Sequence, residues 1–507
     1  MKKNLLLVIL AYICTTGLFA QGGMLDASFG TDGILNVPDT AGNAEVAYGV
    51  TVQDDGKILA LGTRLGRVCV KRYNDSGTPD VSFGNQGEVI QFVGFNSHNP
   101  KEIRIQNDGK ILVCGYLDTN HLFIMRFSSN GTPDDTFGTN GVVSYYPDFT
   151  ANSRTLYPYC ITVLNDGKIM AAGLLGDDGD SQWGMFAVKF NADGTPDSAY
   201  GYNGYFAEQA YGYTESAVCY PDGKVAFAIL KSFPSLTGYY TVVKRLDQTG
   251  ATDTSFGTEG ITEITNGDRD YVIRDLALQA DGKLVGGGLS STSDTTGAEF
   301  TVMRLNYDGS PDASFGIDGK VIPFNPGNEE MRHIVVQPDG SIVGVGPDTN
   351  SYNFNLMRFS SSGMQDMSFG TNGVAKTSFG SYYHQTHDIA VQPDGKIIIT
   401  GMVMFNNGQN NNFLLLRYSG GAPALGLNNN ALNQFSVYPN PTSDMLYLAN
   451  ADELAVENIS VYDISGKAVL SQNSAANQID VEQLPQGMYF LKITTGNGTA
   501  NHKFIKE

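Results

Sequence analysis

The chain is 507 residues long and carries 32 lysines and arginines against 52 aspartates and glutamates, a net charge of −20 with no basic stripe. That balance excludes a nucleic acid as partner, because phosphate binding rests on clustered cations, and otherwise mainly favours solubility. The 60 glycines, the abundant Asn, Asp, Ser and Pro, and the short alternating apolar runs exclude a helical fold and predict an all-β chain rich in tight turns.

Residues 1–20 read as a signal peptide. Lys2 and Lys3 precede an apolar stretch, Leu5 to Leu18, that is too short to span a bilayer comfortably, and Leu18-Phe19-Ala20 before Gln21 suits cleavage after a small residue. A lipoprotein anchored at Cys14 is disfavoured by the Tyr-Ile that precedes it. No later run approaches ~18 apolar residues, so no transmembrane segment is expected in the mature chain. Its four cysteines, Cys69, Cys114, Cys160 and Cys219, fall at different places in the repeat described below. They are expected to be buried free thiols in strands.

From residue 21 to 419 one unit recurs: an apolar strand, Asp-Gly-Lys, two further strands, a basic residue, and a Gly-x-Pro-Asp-x-Ser-Phe-Gly turn leading to a fourth strand. Asp-Gly-Lys begins at Asp55, Asp108, Asp166, Asp222, Asp281 and Asp394, with Asp-Gly-Ser at Asp339, in steps of 53 to 59 residues. An aromatic keeps the same beat at Phe29, Phe83, Phe137, Tyr200, Phe256, Phe315 and Phe369. Asp-Gly between alternating runs is a hairpin signal, Pro-Asp suits a turn, and the aromatic is expected to plug the gap between neighbouring sheets. Four strands repeated seven times predict a seven-bladed β-propeller. The last copy lacks its Pro-Asp-x-Ser-Phe-Gly piece, and the chain begins with an orphan copy, Leu25 to Gly30, before the strand Ile34–Val37. That N-terminal strand is therefore expected to complete the last blade and close the ring, removing exposed edges. A basic residue ends each third strand (Arg72, Arg126, Lys189, Arg245, Arg304, Arg358, Arg417), and an Asp follows eight residues later in the first six. This predicts an ion pair within each blade, with Arg417 reaching Asp26.

The run Gly77-Thr78-Pro79-Asp80-Val81-Ser82-Phe83-Gly84, together with Gln392-Pro393-Asp394-Gly395-Lys396, resembles the delta-60 repeat family of bacterial β-propellers over about Met24 to Ser419. The resemblance implies the fold and no defined activity.

Residues 420–434, with Gly420-Gly421-Ala422-Pro423 and Asn428-Asn429-Asn430, read as a linker. Residues 435–507 hold five strand candidates and predict a small Ig-like β-sandwich. Tyr438-Pro439-Asn440-Pro441, Asp463 to Lys467, Leu484 to Tyr489 and Lys503-Phe504-Ile505-Lys506 resemble the C-terminal sorting domain of type IX secretion substrates of Bacteroidetes. That implies the secretion machinery as a partner, and a secreted or outer-membrane-surface location.

Two candidate sites emerge. The connections between blades, and those between second and third strands, vary and are rich in aromatics: Tyr145, Tyr146, Tyr157, Tyr159, Trp183, Tyr211, Tyr213, Tyr239, Tyr240, Tyr382 and Tyr383, with His384. Such side chains can stack on sugars or anchor a protein, or merely seal blade junctions. Six residues before each Asp-Gly lie Gly49, Glu102, Cys160, Ser216, Asp275, His333 and Asp388, where three carboxylates and a histidine could converge at the channel mouth. They could hold calcium or serve acid–base chemistry, or form a solvated polar rim. Asp177-Asp178-Gly179-Asp180 lacks the alternating ligands of an EF-hand, and no GxSxG, HExxH or phosphate-loop motif occurs. The leading expectation is a surface or secreted binder of a glycan, polymer or protein with no required cofactor. A metal-dependent extracellular hydrolase or lyase and a structural surface component are the alternatives.

Overall fold

In the computed structural model the described residues are 21–37, 45–92, 98–117, 120–147, 154–177, 183–209, 212–232, 239–265, 269–292, 298–323, 330–348, 353–380, 383–405, 410–420, 436–438, 442–449, 456–463, 468–472, 478–495 and 498–506. The signal peptide, Asp178 to Asp180, and the linker beyond Gly420 lie outside them. Two compact units divide between Ala422 and Pro423.

The first unit is a β-propeller: among its described residues are seven four-stranded antiparallel sheets. In six of them, successive strands pair in chain order from the inside outward, as in sheet 1, with Val46–Val52, Ile58–Arg64, Arg67–Tyr73 and Glu88–Gln91. The innermost strands of sheets 2 to 7 are His98–Ile105, Arg154–Val163, Tyr213–Cys219, Arg269–Leu278, His333–Val336 and Tyr383–Val391. The Asp-Gly hairpins turn on glycines at φ +79° to +94°, a conformation open to residues without Cβ.

Sheet 7 is assembled from both ends of the unit. Ile34–Val37 pairs antiparallel with Asn410–Tyr418, Ile34 opposite Leu416 and Val37 opposite Phe413. The innermost strand of sheet 7 packs on that of sheet 1, so the two terminal sheets are neighbours.

Each junction between sheets is built the same way. The anchor aromatics are 0–1 % exposed; Phe83, for example, shares a core with Leu59 and Val70 of sheet 1 and Val113 and Phe123 of sheet 2. A glycine of the next turn lies so close that a Cβ would meet the ring at about 3 Å, as for Gly131 on Phe83 and Gly77 on Phe29. Over the ring sits the third-strand arginine, its guanidinium 4.4–4.9 Å from the centroid in six sheets. Its Nε lies 2.7–2.9 Å from the turn aspartate, Arg417 to Asp26 included. One terminal nitrogen donates to a carbonyl of the following sheet, as from Arg72 to Ser129 O, Arg126 to Ala192 O and Arg304 to Ser361 O. The lysine of Asp-Gly-Lys reaches the same aspartate at 2.7–3.7 Å in six sheets. A repeated motif that looks like turn chemistry is thus also the bolt between sheets.

These aspartates titrate low. Burial pushes Asp312 upward, but bonds from Lys283 and Ser314 and the charge of Arg304 outweigh it; the same balance lowers Asp26, Asp80, Asp134, Asp197, Asp253 and Asp366. A carboxyl whose folded pKa lies below its unfolded value of 3.8 binds fewer protons folded than unfolded, so its stabilisation is present above about pH 4 and lost as pH falls. The urea midpoint is expected to drop steeply between pH 5 and pH 2.5, and Asp312→Asn to flatten that slope. An unchanged slope would show that this aspartate does not contribute to the acid transition.

The cysteine expectation needs correction at one place. Cys160 and Cys219 form a disulfide, with Cα atoms 6.5 Å apart. They occupy different repeat positions, yet the innermost strands of sheets 3 and 4 lie side by side, so unlike positions meet across the junction. Cys69 and Cys114 are buried free thiols. Because the bridge closes a loop of 59 residues, replacing both cysteines by serine is expected to cost about 2–4 kcal/mol, read as a lower thermal midpoint that dithiothreitol no longer changes.

The second unit has a three-stranded sheet (Ser436–Tyr438, Met445–Ala449, Gln478–Asp480) and a four-stranded one (Ala468–Gln472, Val456–Asp463, Gly487–Thr495, Gly498–Lys506). Leu446, Leu448 and Ile479 of the first share a core with Ile459, Val461, Leu491 and Phe504 of the second. Tyr489 stacks on Phe504 at 5.5 Å.

Candidate functional site at the channel mouth

The innermost strands of all seven sheets line one cavity of about 960 Å³. Six of them carry a β-bulge, one extra residue opposite a single partner, at Tyr48, Lys101, Tyr159, Glu215, Arg274 and His387. In sheet 6, Arg332 takes the equivalent place just before His333–Val336. A bulge re-aims a side chain, and all seven of these line the cavity. The repeat is regular at its turns and varies here, with five residue types in seven copies.

Going round the ring, one side is aromatic, with Tyr48, Tyr159 and His387 in the cavity lining and further rings adjoining them. Tyr48 of sheet 1 stacks on His387 of sheet 7 at 5.2 Å. The Lys101 ammonium lies 5.9 Å from the Tyr48 ring and 5.7 Å from Tyr116, and Tyr116 meets Tyr157 edge-on at 4.6 Å. Gly176 leaves bare backbone between Tyr157 and Trp183, and Trp183 meets Tyr213 at 5.2 Å. Tyr159 hydrogen-bonds Tyr213, and burial pushes its phenol well above its usual range. The other side is charged: Arg274 bridges Glu215 and Glu330, the latter at 2.5 Å, and Arg332 lies 3.2 Å from Glu330.

The four residues expected to form a metal or acid–base site are built into the wall instead. Asp388 accepts from Val50 N of sheet 1 and Ile389 N, both at 2.8 Å. Asp275 accepts from Ile334 N of sheet 6 at 3.0 Å, Leu276 N at 2.9 Å and Ser216 Oγ at 3.2 Å. His333 Nε2 lies 3.2 Å from Thr386 O of sheet 7, and Glu102 pairs with Arg104. Burial raises Glu102 to about 8, with Arg104 opposing and Asp388 and Asp275 adding. Burial likewise lifts Asp275 to about 7 and Asp388 to about 6 and lowers His333 to about 3. Three of the four stitch one sheet to the next. Among the described residues, no group of three or more His, Cys, Asp or Glu side chains is disposed to hold a metal.

The loop aromatics divide. Tyr157, Tyr159, Trp183 and Tyr213 join the arc, and Tyr213 is 37 % exposed. Tyr145 packs edge-on against Phe190 at 5.2 Å, Tyr146 lies over His121 at 5.1 Å, and His384 is buried against Phe354 at 4.5 Å. Tyr239 is 53 % exposed and Tyr240 half-buried. Tyr211, Tyr382 and the Tyr383 side chain lie outside the described residues. The ring residues Tyr48, Lys101, Glu215, Arg274, Arg332 and His387 escaped sequence reasoning. Their signal was a long polar or aromatic side chain one place before the positions singled out, within otherwise apolar strands.

The fold and its tail define an exported β-propeller. Residues 53–83, 106–137, 164–200, 279–315, 337–369 and 392–418 match a domain of unknown function (DUF5122) described as a beta-propeller, and residues 436–507 match the secretion system C-terminal sorting domain. The chain therefore carries DUF5122 propeller repeats in its first unit and a type IX secretion sorting domain at residues 436–507, which indicates export to the cell surface or secretion. No curated protein matches. Among solved structures it is similar to virginiamycin B lyase from Staphylococcus aureus (12 % identity, 76 % of this chain and 98 % of that one, TM-score 0.42). It is also similar to the β-propeller domain of the trilobed protease from Pyrococcus furiosus (10 %, 75 % and 93 %, 0.42) and to PorZ, a surface component of the type IX secretion system of Porphyromonas gingivalis (14 %, 89 % and 58 %, 0.34). Among the described residues, no helix is long and apolar enough to cross a membrane.

Proposed function

We propose that the protein is a surface or secreted binding protein, a closed seven-bladed propeller with an Ig-like sorting module, which engages an extracellular glycan or protein at the channel mouth without a cofactor. One observation carries this reading. The copies share their turns, anchors and ion pairs with few departures, yet at one equivalent position they present five residue types to one cavity: Tyr48, Lys101, Tyr159, Glu215, Arg274, Arg332 and His387. Structural needs explain the uniform face; they do not call for aromatic residues on one side of the cavity and a charged arc on the other. Aromatic faces of this kind suit sugar rings. The carboxylates that a metal-dependent hydrolase would need already accept backbone N–H groups or pair with arginine.

The test is binding of the full chain to glycan and surface-protein arrays. A specific hit is expected, reduced about tenfold or more by Trp183→Ala or Tyr213→Ala and indifferent to chelator. No hit on either array would favour a structural surface component, and turnover of the ligand would favour an enzyme.

A further inference from the structure

We infer that the occupant of this mouth is an anionic polysaccharide, with a carboxylate or sulfate seated on the Lys101 ammonium and neighbouring sugar rings lying against Tyr48 and Tyr159, which line the same cavity. This rests on the binding reading above and adds the ligand's chemistry.

The argument turns on how the cavity's cations are used. Arg104 is matched by Glu102, Arg274 by Glu215 and Glu330, and Arg332 by Glu330. Lys101 is different. It stands on a bulge that aims it into the cavity, and among the described residues no carboxylate pairs with it. Its described company is two tyrosine rings at 5.7 and 5.9 Å. Burial alone lowers its pKa, with no acidic neighbour to raise it. A desolvated ammonium held by aromatic faces gains modestly from them and retains donors for an anion. Tyr48 and Tyr159, which line the cavity with it, offer aromatic surface to a pyranose. Anion and sugar in one ligand satisfy both. The net charge of −20 repels a polyanion at a distance, but at physiological salt charges beyond roughly 8 Å are largely screened, so the groups at the mouth decide.

The experiment pairs charged and neutral versions of one backbone: polygalacturonate against its full methyl ester, and dextran sulfate against dextran, by isothermal calorimetry on the full chain. Polygalacturonate or dextran sulfate is expected to bind and its neutral twin to fail; which of the two charged polymers binds tells carboxylate from sulfate. Lys101→Met should weaken binding by about 10- to 100-fold, and Lys101→Arg should restore most of it, while circular dichroism and the thermal midpoint report folding of both. Equal binding of a neutral twin, or full binding by a folded Lys101→Met, would overturn the anionic inference and leave the binding reading intact. Failure of all four polymers would overturn the inference as well, and the arrays would then judge the broader reading.

Discussion

A chain that begins at Glu45, without the strand Ile34–Val37, is expected to be unable to persist as a folded monomer. Three losses coincide. Asn410–Tyr418 loses its only outer partner and becomes an exposed edge, an invitation to pair with other molecules. Phe29, fully buried between sheets 7 and 1, disappears, at about 3–5 kcal/mol for a core aromatic. Arg417, itself fully buried, loses Asp26 and keeps only the exposed Asp75 at 2.6 Å, a loss of at most the about 3–5 kcal/mol of a broken buried pair. Together these rival the ~5–15 kcal/mol that holds a domain folded. Size-exclusion chromatography with light scattering should find oligomers or aggregate, and a synthetic peptide of residues 21–37 added during refolding should recover monomer. A truncated monomer with an unchanged melting temperature would refute the role assigned to the N-terminal strand.

The second large effect is expected at the bolts. Arg245 is fully buried, pairs with Asp253 at 2.8 Å, donates to Tyr307 O at 2.5 Å and lies 4.4 Å over Phe256. Arg245→Ala strips Asp253 of that partner and leaves only Lys224, 3.1 Å away. A loss of about 3–5 kcal/mol follows, read from the urea midpoint. Arg245→Lys should recover only part of it, because an ammonium cannot reach carboxylate and carbonyl with a planar fork. Equal stability of the lysine and arginine forms would mean that charge alone, without the fork, holds the junction.

Much of this architecture was legible in the linear order of residues. The beat of Asp-Gly and Phe-Gly located the sheets, and the orphan Leu25-to-Gly30 segment pointed to Ile34–Val37 as the missing strand. The eight-residue offset from Arg to Asp became the ion pairs, because a tight turn leaves little choice of geometry. The channel-mouth positions Glu102, Asp275, His333 and Asp388 do line the cavity, and the residue just before each was missed. Counting back from Asp-Gly assumes strict alternation, and a bulge inserts a residue that breaks it. Asp275 and Asp388 are therefore held by the wall's own amides and Glu102 by Arg104, while Lys101, Arg274 and His387 join them in the cavity lining from the bulges. The Cys160–Cys219 bridge was hidden for a related reason: it joins unlike positions of neighbouring repeats, and a search for one shared position does not see it.

The junction between sheets 3 and 4 departs from the common pattern three times. Lys189 stands for arginine and lies 4.0 Å from Asp197, Tyr200 stands for phenylalanine with its hydroxyl buried and unbonded, and Ala199 stands where most copies have serine or threonine. It is also the junction that carries the disulfide. A hoop with one weak joint and a rivet across it has a stiffness set by its surroundings. In a reducing cytoplasm the joint is held by the lysine version alone, and outside the cell it is locked. Amide exchange in Gly184–Phe190 and Tyr213–Cys219 should accordingly quicken on reduction, while the opposite side of the hoop keeps its pace.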